Sequence, residues 1–419
     1  MNLSELNFDF PPSGKDSRTM RAVKFQLIAV LLLLGVILPG ATTAAPFDPP
    51  ALYLQWQCDP TTTMTIHWHT VGQARTELCY RNVGSTNWSA ALGNAQPFVG
   101  TDRWVHVVEL TGLAPASDYE FCFETDGKIF KFRTMPKDLS QPVRFVTGGD
   151  VYHEKRWMDR MTTLAARMDP AFVVFGGDLA YAHGGTNEEQ ITRWFDYFAS
   201  WKTNAVAPDG RLIPMLVTLG NHEVKGSYRK PLDNARSFYT LFSSPGPQGY
   251  QCLDFGKYLS LLLLDSDHTH TIAGEQTEWL GKQLAQRRKV PHVFPVYHTP
   301  GYPGFREDTG TQAKEVRTHW SPLFDKYGVK LAFENHDHCF KRTHPIRAGK
   351  IDPKGTIYLG DGAWGVGLRK PDPTKPRWYI AKSGDIRHLY LVTLYPDARH
   401  VVAINEGGQI FDEVYQRLK

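Results

Sequence analysis

The chain has 419 residues, of which 42% are hydrophobic and 21% charged, and a formal net charge of +4. That length allows about two to three domains, and the composition excludes a disordered or collagen-like chain. The mild basicity, with a pI near 8.6, suits small anionic ligands but is too weak to argue for nucleic-acid binding.

Residues 1–45 read as a secretion signal, with Met20 as an alternative start. Arg21 and Lys24 form a short positive region, residues 25–38 a leucine-rich stretch broken by Pro39 and Gly40, and residues 41–45 supply small residues for cleavage. The apolar run is shorter than the ~20 residues a membrane-spanning helix needs. A secreted or periplasmic protein is therefore expected, with a retained N-terminal anchor as the alternative and no stable membrane span after cleavage.

Residues 47–137 read as an all-β sandwich. Residues 64–70 and 104–110 alternate apolar and polar side chains, the period of a strand. Residues 119–125 and 128–133 flank Asp126-Gly127, a two-residue hairpin signal. Residues 110–119 end in Tyr119 and resemble the tyrosine corner of fibronectin type III domains. Five cysteines leave at least one unpaired in a monomer. Cys79 and Cys122 lie on two of these strands, either paired or as two buried thiols. Cys58, Cys252 and Cys339 have no evident partner, and without a CxxC pair no structural zinc is indicated.

Residues 135–142, rich in proline and polar residues, mark a boundary. From 143 to 419 strand-like and helix-like runs alternate. Met158, Met161, Leu164, Ala165 and Met168 recur at helical spacing, as do Ile191, Trp194, Phe195, Phe198 and Ala199, and again Val316, Trp320, Leu323, Phe324 and Tyr327. Such stripes are core. Residues 250–255 and 258–264 read as a hairpin around Gly256, and residues 388–394, 401–405 and 409–415 as closing strands. The domain at 143–419 is expected to be a four-layer α/β/β/α sandwich.

Five short clusters each follow an apolar run: Gly149-Asp150, Gly177-Asp178 with Tyr181, Gly220-Asn221-His222-Glu223, His298, and His336 with His338. Taken singly, an Asp after a strand is a turn or helix cap and a lone tyrosine is packing. Taken together, they describe a two-metal hydrolytic site at one edge of an α/β sheet. The 28 residues from Asp150 to Asp178 fit one β-α-β crossover, which brings both to adjacent strand ends.

The clusters resemble the ordered motifs of the metallophosphoesterases: GDxG, GDxxY, GNH[DE], VxxH and GHxH. Tyr181 narrows the resemblance to the purple acid phosphatases, and the first domain is similar to that family's N-terminal β-domain. Two positions depart from the pattern, Tyr152 and Asn335, where the family usually has glycine. The resemblance implies a dinuclear centre of Fe(III) with a divalent Zn, Fe or Mn. Asp178 would bridge, Asp150, Tyr181 and His338 would complete the Fe(III) site, and Asn221, His298 and His336 the divalent site. Hard anionic donors suit Fe(III); imidazoles and an amide oxygen suit the divalent ion.

The implied activity is hydrolysis of phosphate monoesters by attack of a metal-bound hydroxide on phosphorus. His222 would bind a phosphoryl oxygen and assist the leaving group, and Glu223 would hold its other ring nitrogen. Small phosphate esters are the expected partners. A phosphodiesterase or nucleotide pyrophosphatase of the same superfamily is the alternative enzyme, and a catalytically degenerate surface-binding protein the alternative of another class. His153, Glu154 and His183 lie close enough in sequence to contact substrate or simply to sit at the surface. Tyr302 and Arg306 are placed to reach a phosphate. Residues 360–365 read as a tight loop with Trp364 walling the cleft, and residues 287–289 as a helix C-terminal charge cluster.

Overall fold

A computed structural model describes residues 47–124, 127–243 and 248–418. The expected signal segment and the Asp126 turn lie outside the described residues. Alternation in residues 64–70 becomes the strand Met64–Val71, paired with Leu52–Gln55 and Arg103–Leu110 in a four-stranded sheet. A second four-stranded sheet contains Glu77–Asn82, Asp118–Cys122 and Phe130–Arg133. Ile66, Trp68, Leu78, Phe121 and Phe132 are buried in one core with them. The tyrosine corner is present: the Tyr119 hydroxyl accepts from the Ala114 N–H at 2.8 Å. Cys79 and Cys122 are direct cross-strand neighbours, and both are free thiols.

The strand Met64–Val71 buries His67 on its other face, where Tyr53 stacks on His67 at 4.8 Å and on Phe198 at 4.3 Å. Phe198 belongs to the helix Glu188–Asn204, so the sandwich and the α/β part pack into one compact unit from Phe47 to Lys419.

Three parallel strands, Val143–Gly148, Val173–Phe175 and Met215–Val217, are joined through the helices Lys155–Arg167 and Glu188–Asn204. The tail strands His388–Leu394, Ala398–Asn405 and Ile410–Arg417 complete this sheet antiparallel to its edge strand. A seven-stranded sheet holds Leu259–Leu263, His292–Val296, Leu331–Phe333 and Ile357–Gly360 as parallel neighbours. The period of two decides which layer each side chain joins. Phe145, Val174, Phe294, Phe333 and Val392 fill the space between the sheets. Val146, Val173 and Phe175 face outward onto Met158, Met161 and Leu164, and Leu280, Trp320 and Phe324 cover the other sheet. The expected α/β/β/α order is observed.

Two helical stripes differ from the expected ones. In Glu188–Asn204, Ala199 is exposed and Phe195 half-buried, whereas Tyr197 and Trp201 are buried. This helix is wedged between the sandwich and a sheet, so its buried face is broader than one stripe. Along residues 311–327, one π turn at Val316–Trp320 shifts the phase, leaving Leu323 and Tyr327 half-buried.

Candidate metal centre

The first three clusters follow strands of one sheet, whereas His298, His336 and His338 follow strands of the other. The site therefore lies where the carboxyl ends of two sheets meet, which corrects the expectation of a single sheet edge. Short turns after the strands aim the side chains inward. Asp150, Asp178, Tyr181, His336 and His338 all have positive φ, from 52° to 83°, which costs L-residues about 1–2 kcal/mol each. Neighbours hold these turns: the Asp150 N–H donates to the Gly177 carbonyl at 3.0 Å, and the His336 N–H to Asp150 Oδ2 at 2.9 Å. Gly362 covers the same oxygen so closely that a Cβ there would lie 1.7 Å from it.

Asn335 bridges the two sheets beside the site. Its Nδ2 donates to the Tyr297 carbonyl at 3.0 Å. A Cβ on Gly176 or Gly149 would fall 1.7 Å or 2.4 Å from its amide, so those two glycines make room for it. Tyr152 is buried, and its hydroxyl donates to Asp196 at 3.2 Å.

All seven expected ligands come together, in two groups. In the first, Asp150 Oδ1 lies 3.0 Å from the Tyr181 hydroxyl and 2.9 Å from His338 Nε2, and that hydroxyl lies 3.2 Å from the same nitrogen. In the second, His298 Nε2 lies 3.2 Å from Asp178 Oδ2, 3.1 Å from Asn221 Oδ1 and 3.0 Å from His336 Nδ1. The ligating atoms of Asp178, His298 and His336 all lie within 4.8 Å of one another. Asp178 Oδ2 is buried without a hydrogen bond. A cluster of inward-facing lone pairs with an orphaned carboxylate oxygen fits cations.

Electrostatics point the same way. Burial, then Asp150 and Asp178, push the Tyr181 phenol well above its ordinary range, so a phenolate there requires a nearby cation. Burial would raise Asp178, but His298 beside it prevails and holds the carboxyl low. Burial would lower His298, but Asp178 raises it to about 9, while burial and His298 together keep His336 well below the ordinary histidine range.

His222 reaches the site edge: its Nε2 lies 3.8 Å from Asp178 Oδ2, and its ring centroid 4.3 Å from that of Tyr181. Burial draws its ring down to about 4. Glu223 does not touch it. The Glu223 carboxylate is buried and accepts the N–H groups of Asp178, Leu179 and Gly220 at 2.7–2.9 Å, so it braces the Asp178 turn. Adjacent residues point apart here, which corrects the expected contact. The neighbour of His222 is His183, with their Nδ1 atoms 2.7 Å apart.

Among the weaker candidates, the His153 ring lies 5.2 Å from that of Tyr181, while Glu154 pairs with exposed Arg156 at 3.0 Å. Tyr302 does not reach the site; it is buried, 4.6 Å from the Tyr358 ring. Trp364 is no cleft wall: it is fully buried at 5.0 Å from Phe175, because its indole covers the strand end at Gly148. Arg306 binds the His336 carbonyl at 2.7 Å. Arg287 caps its helix by donating to the Gln283 carbonyl at 3.1 Å. Sequence reasoning missed the Gly362 contact, since nothing local links residue 362 to residue 150.

The profile of the purple acid phosphatase N-terminal domain matches residues 49–135, and that of the calcineurin-like phosphoesterases matches residues 144–340. Purple acid phosphatase 15 of Arabidopsis thaliana is 25% identical over 65% of this chain, which spans only 57% of that relative's length. Acid phosphatase type 7 of Mus musculus is 24% identical, with 90% of this chain and 92% of the relative covered. Purple acid phosphatase PPD1 from yellow lupin (Lupinus luteus) seeds superposes with a TM-score of 0.72 at 20% identity, covering 89% of this chain and 74% of its own. Fold and matched domain thus show a metallophosphoesterase fold. Within that class the chain is a purple acid phosphatase-like protein, with residues 49–135 similar to the N-terminal domain of the purple acid phosphatases.

Proposed function

We propose that the protein hydrolyses phosphate monoesters at a dinuclear Fe(III)–M(II) centre. The observation that carries this reading is the convergence of seven donors in two groups, the second of which contains a buried carboxylate, Asp178, with an unsatisfied oxygen. Asp150, Tyr181 and His338 would hold the ferric ion, Asn221, His298 and His336 a divalent Zn, Fe or Mn, and Asp178 both. When bound, such a pair supplies Lewis acidity that activates water and neutralises phosphoryl charge.

The chain supplies the rest. Glu223 holds the Asp178 turn rigid through three backbone N–H groups, so the carboxylate is aimed before substrate arrives. His222, 27% exposed at its side chain, is the group that meets substrate: it binds a phosphoryl oxygen and, at the acid pH where its ring of lowered pKa is protonated, delivers a proton to the leaving oxygen. Its Nδ1 faces His183, which orients the ring. The partners are small phosphate esters, reached in a secreted or periplasmic setting if residues 20–45 act as a signal. Among the described residues no helix is long and apolar enough to cross a membrane.

The test is metal analysis and a visible spectrum of the purified protein and of Tyr181→Phe, with turnover of an aryl phosphate and of its diester. About two metals per chain, a charge-transfer band lost in the variant and preference for the monoester are expected. Two metals without that band, and preference for the diester, would replace this reading with a phosphodiesterase.

A further inference from the structure

The two histidines of the proposed divalent site differ in what holds them from outside. A metal-binding imidazole is neutral, with one ring nitrogen turned to the ion and a proton on the other, and the group that accepts from that N–H fixes the ring. His298 turns Nε2 to the centre, and its Nδ1 meets the Gly176 carbonyl at 2.9 Å. Main chain therefore orients it. His336 is turned the opposite way. Its Nδ1 lies 3.0 Å from His298 Nε2, within the donor group, and its Nε2 points outward to the Tyr228 hydroxyl at 3.4 Å. Among the described residues no other polar atom meets that outer nitrogen. The same hydroxyl lies 3.4 Å from Thr299 Oγ1, so it can accept from His336 Nε2–H while donating to the threonine.

Tyr228 comes from the segment after Glu223, and two loops lock together to place it. Ser227 and Arg229 on either side have positive φ, 68° and 52°, a conformation that persists only where the surroundings impose it. The loop after the strand Leu259–Leu263 imposes it. The Arg229 N–H donates to the Asp267 carbonyl at 2.8 Å, the Lys230 N–H to the His268 carbonyl at 2.9 Å, and Arg229 Nε to Asp267 Oδ2 at 2.7 Å. The fully buried His268 ring stacks on that of Tyr228 at 5.0 Å. His268 is itself held at both nitrogens, Nδ1 by the Ser227 carbonyl at 3.0 Å and Nε2 by Ser266 Oγ at 3.2 Å. Ser266 Oγ also accepts the Thr299 N–H at 2.8 Å, which ties this platform to the turn that follows His298. The atom that the whole arrangement fixes against the centre is the Tyr228 hydroxyl.

Resting on the dinuclear reading, we propose that Tyr228 is a positioning residue of the divalent site. Its hydroxyl accepts from Nε2–H of His336 and so keeps the Nδ1 lone pair turned to the ion. The ferric group does not share this dependence: among the described residues Tyr228 makes no hydrogen bond to Asp150, Tyr181 or His338. Tyr228 thus tunes one ion of the pair and leaves the other alone.

The test is zinc titration, against a chromophoric competitor, of protein stripped of its divalent ion, for the wild type and Tyr228→Phe. The Tyr181 charge-transfer band and a thermal melt in excess chelator are recorded alongside. Phenylalanine keeps the ring on its platform and loses only the hydroxyl. Zinc affinity is expected to fall about tenfold, with the ferric band retained and the melt unchanged. Unchanged zinc affinity overturns the proposal. Loss of the band or a lowered melt together with the zinc makes the effect a general structural one and overturns it as well. If the wild type binds no divalent ion, the dinuclear reading fails and takes the proposal with it. If it binds zinc without showing the band, only the ferric assignment fails, and zinc affinity and the melt decide the role of Tyr228.

Discussion

Two buried polar clusters lie side by side in this protein, and the same two loops contribute to both. Lys341, Glu334 and Asp361 are fully buried, with Lys341 Nζ against Glu334 and 2.9 Å from Asp361. Tyr297 and the Gly301 N–H complete Glu334 at 2.7 Å each, and the Gly304 N–H completes Asp361 at 2.8 Å. One or two residues further along these loops, His336 and Gly362 face the metal centre. There, among the described residues, neither Asp150 nor Asp178 has a Lys or Arg within 4 Å, only histidines. The first cluster carries its own cation; the second is built to receive cations. Burying charge is tolerable only when something neutralises it, and the chain supplies that something in one case and leaves it to the solvent in the other.

Removing the internal cation is the strongest way to break this contrast. Lys341→Met leaves Glu334 buried without its cation, beside an Asp361 that burial already pushes well above the ordinary carboxylate range, and a loss of about 3–5 kcal/mol is expected, read by urea unfolding with chelator present so that metals cannot mask it. A loss under about 1 kcal/mol would mean that the ammonium is not what neutralises them.

Removing the external cations comes next. At metal concentrations near a thousand times Kd, chelation is expected to lower stability by about 4 kcal/mol. Asp178→Asn is expected to abolish most of that increment. Thermal melts with and without chelator check it; an increment unchanged in Asp178→Asn would remove Asp178 from the centre.

A third buried polar set has neither kind of cation. The ring nitrogens of His67 and His69 have no hydrogen-bond partner, and burial draws both rings from 6.5 down to about 3. They stay neutral in the folded state and protonate on unfolding. Between about pH 3 and 6.5 the unfolded chain binds more protons, so stability rises with pH in that window and falls as the medium is acidified. From pH 7 to pH 5 the loss is about 2 kcal/mol per histidine. Replacing His67 by Phe, which preserves stacking on Tyr53, is expected to flatten that slope, and an unchanged slope in pH-dependent unfolding would rule His67 out as its source.

The smallest effect belongs to a neutral pair that belongs to none of the three sets. Tyr119→Phe removes the corner hydrogen bond to Ala114 and is expected to cost about 1 kcal/mol in denaturant unfolding, independent of pH and metal. Dependence on either would show that the sandwich and the metal centre are coupled.

The metal centre was legible because its ligands are local events. Asp150, Asp178 and Asn221 each stand a few residues after a strand whose apolar run is visible in the chain, and the crossover length puts the two aspartates side by side. The tyrosine corner was legible for the same reason, since Ala114 and Tyr119 are five residues apart. Glu223 was misread because neighbouring His222 suggested a contact, whereas three backbone donors drew its carboxylate the other way. Trp364 was misread because a glycine-rich loop suggests exposure, and only the strand end at Gly148 offers the indole a place to bury.

The sequence alone determined strand and helix order and the chemical type of every donor at the centre, because period and turn chemistry act over a few residues. Tertiary structure alone decided that the ligands come from two facing sheets, that Gly176 and Gly149 yield space to Asn335, and that Lys341 neutralises one cluster and not its neighbour. Those outcomes depend on which buried groups approach within about 3 Å in the packed chain, for Asn335 and the two glycines across more than a hundred residues, a proximity that only packing sets.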